Sequence, residues 1–102
     1  MFHMSYKVLR TQVFDEWLKS LKDVQARGSI AARVQRLTRG LIGDVEPVGN
    51  GISELRIHVG KGYRVYYKLQ GKEVIVLLCG GNKKTQPKDI ELAKELAKEL
   101  GL

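Results

Sequence analysis

The sequence is poor in the residues that most often announce a mechanism. Its 102 residues include one cysteine, Cys79, and two histidines, His3 and His58. No intramolecular disulfide can form, which fits a reducing, cytoplasmic compartment. His3, His58 and Cys79 lack metal-ligand spacing, so no metal and no small-molecule cofactor is expected. The longest apolar run is the six residues from Val74 to Cys79, far short of a bilayer span, so no membrane partner is expected. Met1 to Met4 carry no charged or long apolar leader, and the chain could equally start at Met4. Gly80-Gly81-Asn82-Lys83-Lys84-Thr85 lacks the spacing of a P-loop, and Gly60-Lys61-Gly62 lacks the third glycine of a dinucleotide fingerprint. No carboxylate is expected beside His58 to orient it for serine-type catalysis.

Acidic residues are also in short supply. Eleven Asp and Glu face 18 Lys and Arg, a net charge of +7. Residues 87–102 carry a net of −1, so residues 1–86 carry +8. A basic body with a near-neutral tail suits a polyanion or an acidic partner, and equally a merely solvated surface. The length predicts a single domain over 1–102. Folding should bury about 65% of the unfolded chain's surface, enough for a core without disulfides.

Periodicity then gives an α+β order, β-α-α-β-β-β-α. Tyr6 to Arg10 alternates as a first strand. Thr11 caps a helix from Gln12, with Phe14, Trp17, Leu18 and Leu21 on its buried face. Gly28 ends it, and Ser29 caps a second helix whose stripe is Ile30, Val34, Leu37 and Leu41. Arg33, Arg36 and Arg39 recur every third residue as a basic band, either a solvated face or a surface for phosphate. Gly40 to Gly51, with Pro47, reads as a loop. Pro87 opens a last helix carrying Ile90, Ala93, Ala97 and Leu100.

The chemistry concentrates in Glu54 to Tyr67. Two alternating runs flank Gly60-Lys61-Gly62 and predict a β-hairpin. For the two apolar faces to coincide, paired residue numbers must sum to an even value. A three-residue loop meets that condition and places Ile57 opposite Val65, Leu55 opposite Tyr67, His58 opposite Arg64, Arg56 opposite Tyr66 and Glu54 opposite Lys68. A two-residue turn at Gly71-Lys72 then pairs Leu69 with Val74, Tyr67 with Val76, Val65 with Leu78 and Arg64 with Cys79. The segment leaving that strand brings Lys83 and Lys84 to the His58–Arg64 corner. Arg56, His58, Lys61, Arg64, Lys83 and Lys84 together suit phosphodiester chemistry on RNA, or passive nucleic-acid binding. In the catalytic case His58 acts as acid or base, its cationic neighbours favouring the neutral form. Arg64 stabilises the pentacoordinate transition state.

The element order, with Glu54-Leu55-Arg56, Gly62-Tyr63-Arg64-Val65-Tyr66 and Gly80-Gly81-Asn82-Lys83-Lys84, resembles the RelE/HigB/ParE toxin superfamily. More narrowly it is similar to the HigB-like, phage-derived (Gp49-like) addiction module killer branch. The likeness runs from about Tyr6 to Leu96. It implies a RelE-like fold, an antiparallel-dominated sheet packed by two N-terminal helices and a C-terminal one. It also implies the toxin of a type II toxin–antitoxin system, neutralised by a cognate antitoxin of helix-turn-helix type. The implied activity is metal-free, ribosome-dependent cleavage of mRNA, which inhibits translation. The Gly-Tyr-Arg arginine falls on Arg64, which would hold the scissile phosphate. Other catalytic positions fall on Arg56, His58 and Lys83 or Lys84. Apart from the resemblance, the basic residues Lys61, Lys68, Arg33, Arg36 and Arg39 are the expected RNA contacts. Many RelE-like members carry a tyrosine as general acid where this sequence has Pro87 to Ile90. The alternatives are a ParE-like inhibitor of gyrase, relying on the last helix and the arginine band, or a non-catalytic member that binds nucleic acid or antitoxin.

Overall fold

The computed structural model describes residues 5–102. The readings for His3 and for a start at Met4 lie outside the described residues. The elements are β1 (Lys7–Arg10), α1 (Gln12–Ser20), α2 (Val24–Thr38), β2 (Val45–Gly49), β3 (Ile52–Ile57), β4 (Tyr63–Gln70), β5 (Val74–Asn82), a 3-10 turn (Lys83–Thr85) and α3 (Gln86–Glu99). The α+β class is as expected, with one strand added. That strand, β2, lies within the supposed loop 40–51. It tolerates Pro47 because it is an edge strand, where a missing N–H leaves no partner unsatisfied.

Both helix starts are fixed by side-chain caps. Thr11 Oγ1 accepts from Phe14 N at 3.0 Å and donates to the Leu78 carbonyl at 2.6 Å, tying α1 to β5. The first helix ends at Ser20, not Gly28, and Asp23 rather than Ser29 caps α2, accepting from Ala26 N at 3.0 Å. Gly28 sits inside α2 on an open side, where an added Cβ would meet nothing within 4 Å. Its cost of about 1 kcal/mol against alanine is outweighed by burial of Ala26, Ile30, Val34 and Leu37. Leu41 falls beyond the helix end and is exposed.

The sheet order is β1-β5-β4-β3-β2, with only the β1–β5 pair parallel. Helices cover both faces. On one side Leu55, Ile57, Tyr63, Val65, Tyr67, Ile75 and Leu77 pack against Phe14 and the α2 stripe. On the other, Ile52, Tyr66, Val76, Leu78 and Cys79 meet Ala93 and Ala97 of α3.

The hairpin register differs from expectation by two residues. Ile57 pairs with Tyr63, Arg56 with Arg64, Leu55 with Val65 and Glu54 with Tyr66. The sums are even, as predicted, but the loop runs over five residues, His58 to Gly62. Parity cannot separate loops of three and five residues. The wider loop lets Val59 pack against the α1/α2 core, and Gly62 N closes a turn on the Val59 carbonyl at 3.0 Å.

The next register also changes. Gln70 pairs with Val74, Leu69 with Ile75, Lys68 with Val76 and Tyr67 with Leu77; then Tyr66 pairs with Cys79 and Arg64 with Gly81. The turn takes residues 71–73, with Gly71 at φ +68°, and Leu78 is an extra residue in β5. Alternation sets Gly80 and Gly81 against opposite faces, and the bulge decides that Gly80 meets α1 and Gly81 meets α3. A Cβ on Gly80 would lie 2.3 Å from Trp17 Cζ3, and one on Gly81 would lie 1.7 Å from Asp89 Oδ2. The double glycine is therefore where α1 and α3 approach the same strand from its two sides. Trp17 is partly buried against the core, tilted against Phe14 and Tyr63 at 5.8 and 6.4 Å between centroids.

Candidate functional site

On the α3 face, Arg56 and Arg64 stand directly opposite each other near the N-terminal end of the helix. Like charges so placed, with Cβ atoms about 4.5–5.5 Å apart, repel. The residue that makes the pairing tenable is Glu54, whose side chain is fully buried between them. Its Oε1 receives Arg56 Nε at 3.1 Å and lies 3.5 Å from Arg64 Nε. Its Oε2 accepts from Tyr66 Oη at 3.0 Å and from Gln86 Nε2 at 2.7 Å. Burial, and then the bond to Glu54, push the Tyr66 hydroxyl well above the usual tyrosine range.

The two arginines are not equivalent. Arg56 is also ion-paired to Glu46 on β2, so its guanidinium is shared between two carboxylates. Among the described residues Arg64, 12% exposed, has no second carboxylate, and its Nε and Nη1 are buried without a hydrogen-bond partner. Of the predicted cations, Arg64 is the one whose guanidinium is buried beside a carboxylate with donors left unmatched.

His58 is not opposite Arg64. It lies in the loop after β3, largely exposed, with Nε2 2.5 Å from Asp44 Oδ2. The expectation that no carboxylate stands beside it is therefore corrected: Asp44 arrives from the segment before β2. That hydrogen bond, ahead of the nearby charges of His58, Arg56 and Arg33, holds the Asp44 carboxyl below its usual range.

Lys61, Lys83 and Lys84 gather around the hairpin loop. Lys83 N donates to the Gly62 carbonyl at 3.1 Å, joining the 3-10 turn to the loop. Asn82 caps that turn, its side-chain oxygen accepting from Lys84 N and Thr85 N. Lys68 is elsewhere, beside Gly51 in a groove with Lys94 and Lys98 of α3. The arginine band is broken too: Arg33 turns inward and donates to the carbonyls of Arg56 at 2.8 Å and Ile42 at 3.0 Å, leaving Arg36 and Arg39 exposed.

A family model described as "Phage derived protein Gp49-like (DUF891)" matches residues 16–98. The chain belongs to this Gp49-like family. A protein of Haemophilus influenzae carried as uncharacterized is 52% identical over 99 residues, covering 97% of this chain and all of the relative. Among solved structures, a free-state mutant of the E. coli toxin RelE superposes with a TM-score of 0.70 at 14% identity, covering 90% of this chain and 98% of that one. A chain of the toxin–antitoxin complex RelBE2 from Mycobacterium tuberculosis gives 0.62 at 19% identity, covering 78% and 99%. The Gp49-like chain thus has the fold that its sequence resemblance to the RelE superfamily implied.

Within this Gp49-like site, sequence reasoning missed Glu54, Asp44 and Gln86 as site residues. Glu54 had a usable signal, since it shares a face with Arg56 by strand alternation and a buried Ile52 precedes it on that face. Asp44 and Gln86 had none. Both reach the site from segments distant in sequence, and only the register of β2 and the start of α3 bring them in.

Proposed function

We propose that this Gp49-like chain is the toxin of a type II toxin–antitoxin pair and that it cleaves mRNA on the ribosome, without a metal, so inhibiting translation in the cytoplasm. The observation that carries the reading is Arg64. It lies on the central β4 of a RelE-type fold, with Nε and Nη1 buried beside Glu54, part of its side chain still exposed, and Lys83 and Lys84 one short turn away. A guanidinium in that state matches phosphate oxygens that gain charge in a transition state. The complex of the mycobacterial neighbour supports a protein antitoxin as partner. A helix-turn-helix antitoxin is part of this proposal.

In the proposed reaction His58, oriented by Asp44, accepts the proton of a ribose 2′-OH. The 2′-oxygen bonds to the adjacent phosphorus, Arg64 and Arg56 face the developing charge, and the bond to the 5′-oxygen breaks. Lys83 or Lys84 supplies the proton to that leaving oxygen. The products are a 2′,3′-cyclic phosphate and a 5′-hydroxyl. Lys61 holds flanking phosphates, while Lys68, Arg36 and Arg39, set apart from this corner, contribute long-range attraction. Arg33 serves the site through the carbonyls it holds.

The test is primer extension on mRNA after induced expression. New 5′ ends inside translated codons are expected. Growth arrest with intact mRNA and lost supercoiling activity overturns the proposal and selects the gyrase reading.

A further inference from the structure

We propose that Glu54 is a positioning residue: its buried carboxylate draws Arg56 and Arg64 together and presets the Arg64 guanidinium before any anion arrives. The inference takes its substrate from the proposed function, but its geometry stands apart from it.

The two oxygens of Glu54 divide the task. Oε2 is anchored by Tyr66 Oη and Gln86 Nε2, one from β4 and one from the first residue of α3. Oε1 is thereby turned toward the arginines, at 3.1 Å from Arg56 Nε and 3.5 Å from Arg64 Nε. Among the described residues no other carboxylate lies within 4 Å of Arg64, and its Nε and Nη1 have no hydrogen-bond acceptor. Its orientation therefore depends on the field of one buried charge. Arg56 differs, because Glu46 holds it as well.

Stability alone is a poor reason for such an arrangement. A buried ion pair is often no more stabilising than apolar residues of the same volume, whereas a displacement of 1 Å in a positioning group can lower a rate about 100-fold. Gln86 extends the argument, since it directly follows Lys83–Thr85. One carboxylate thus sets the spacing between the arginine pair and the turn that presents the lysines.

The experiment reads the arginine side chains directly. In 15N-labelled wild-type protein, the Arg64 Nε–H should exchange with water at least about tenfold more slowly than that of exposed Arg36. Glu54→Gln, with backbone chemical shifts confirming the fold, should bring the two rates within about threefold of each other. Its mRNA cleavage should fall about 100-fold, as far as in Arg64→Lys, mainly in kcat. Glu54→Asp, which keeps the charge but draws it back, should lie between. Tyr66→Phe, which removes an anchor and leaves the charge, should preserve most of the Arg64 protection. Equal exchange of Arg64 and Arg36 in wild type overturns the proposal without any variant. So does unchanged Arg64 protection in Glu54→Gln, or, where that variant fails to fold, in Glu54→Asp. Absence of cleavage in every variant, wild type included, discards the proposed reaction, while the exchange rates still decide the positioning.

Discussion

The two faces of the sheet use the same strands for different ends. Toward α1 and α2, the inward residues of β3, β4 and β5 are apolar from Ile57 to Leu77. Toward α3, the strands carry a small apolar cluster around Ala93 and Ala97, then change to Glu54, Arg56 and Arg64 beside the first turn of the helix. The difference teaches how a chain of this size keeps a charged site without unfolding. One face supplies most of the stabilising burial, which frees the other to hold groups chosen for their charge.

The sharpest way to break that contrast is to remove a large side chain from the apolar face. Phe14 is fully buried, and Phe14→Ala should cost about 3–5 kcal/mol, a large part of the roughly 5–15 kcal/mol that holds a domain together. Urea denaturation measures it. A loss under about 1 kcal/mol would move the main core to the other face.

A smaller loss is expected where the faces meet. Gly80→Ala drives a Cβ toward Trp17, which is set between Phe14 and Tyr63, so the ring must shift rather than the methyl. Overpacking of this kind costs about 1–3 kcal/mol. Trp17 fluorescence and the urea midpoint should change together in this variant. An unaltered emission spectrum would mean that the ring has room to yield.

On the charged face, Arg64→Ala should separate function from stability. Glu54 keeps Arg56, Tyr66 and Gln86, so the loss in stability should be about 1–2 kcal/mol, while growth arrest on induction should disappear. Arg36→Ala, at an exposed position, should leave stability unchanged and weaken growth arrest only slightly. Toxicity kept in Arg64→Ala but lost in Arg36→Ala would favour the gyrase reading, in which the arginine band carries the contact.

The outcomes follow what the sequence made legible. The three helices, four of the five strands, the cap at Thr11, the place of Pro87 in the first turn of α3 and the apolar face of the hairpin were readable because each is set by neighbours or by alternation, whereas β2 was hidden in a stretch rich in glycine. The register was not, because a slip of two residues preserves every alternation and the bulge at Leu78 lies in a run apolar on both sides. That slip changed the chemistry, moving His58 from Arg64 to Asp44 and putting Arg56 in its place. Local pattern identified the cations. Of their carboxylate partners, Glu54 shared a face with Arg56 and was within reach of alternation, while Glu46 and Asp44 came from the β2 segment that read as loop.

The smallest effect tests whether two aspartates report those two environments. Burial holds Asp89 above its ordinary value of 3.8, opposed by a hydrogen bond from Thr85 Oγ1 at 2.5 Å. The bond to His58 holds Asp44 below the same value. For Asp89 the folded state binds the proton more tightly, so stability falls as pH rises from 3.8 to the raised folded pKa, and is constant above it. For Asp44 the unfolded state binds it more tightly. That contribution is present above 3.8 and is lost as pH falls through the lowered folded value. Asp89→Asn should therefore remove a decline in stability above pH 3.8, and Asp44→Asn should remove a rise below it. Urea midpoints followed across this range measure both slopes. Two variants that altered the same side of the curve would show that a single environment, not a buried one and an exposed one, governs the two carboxylates.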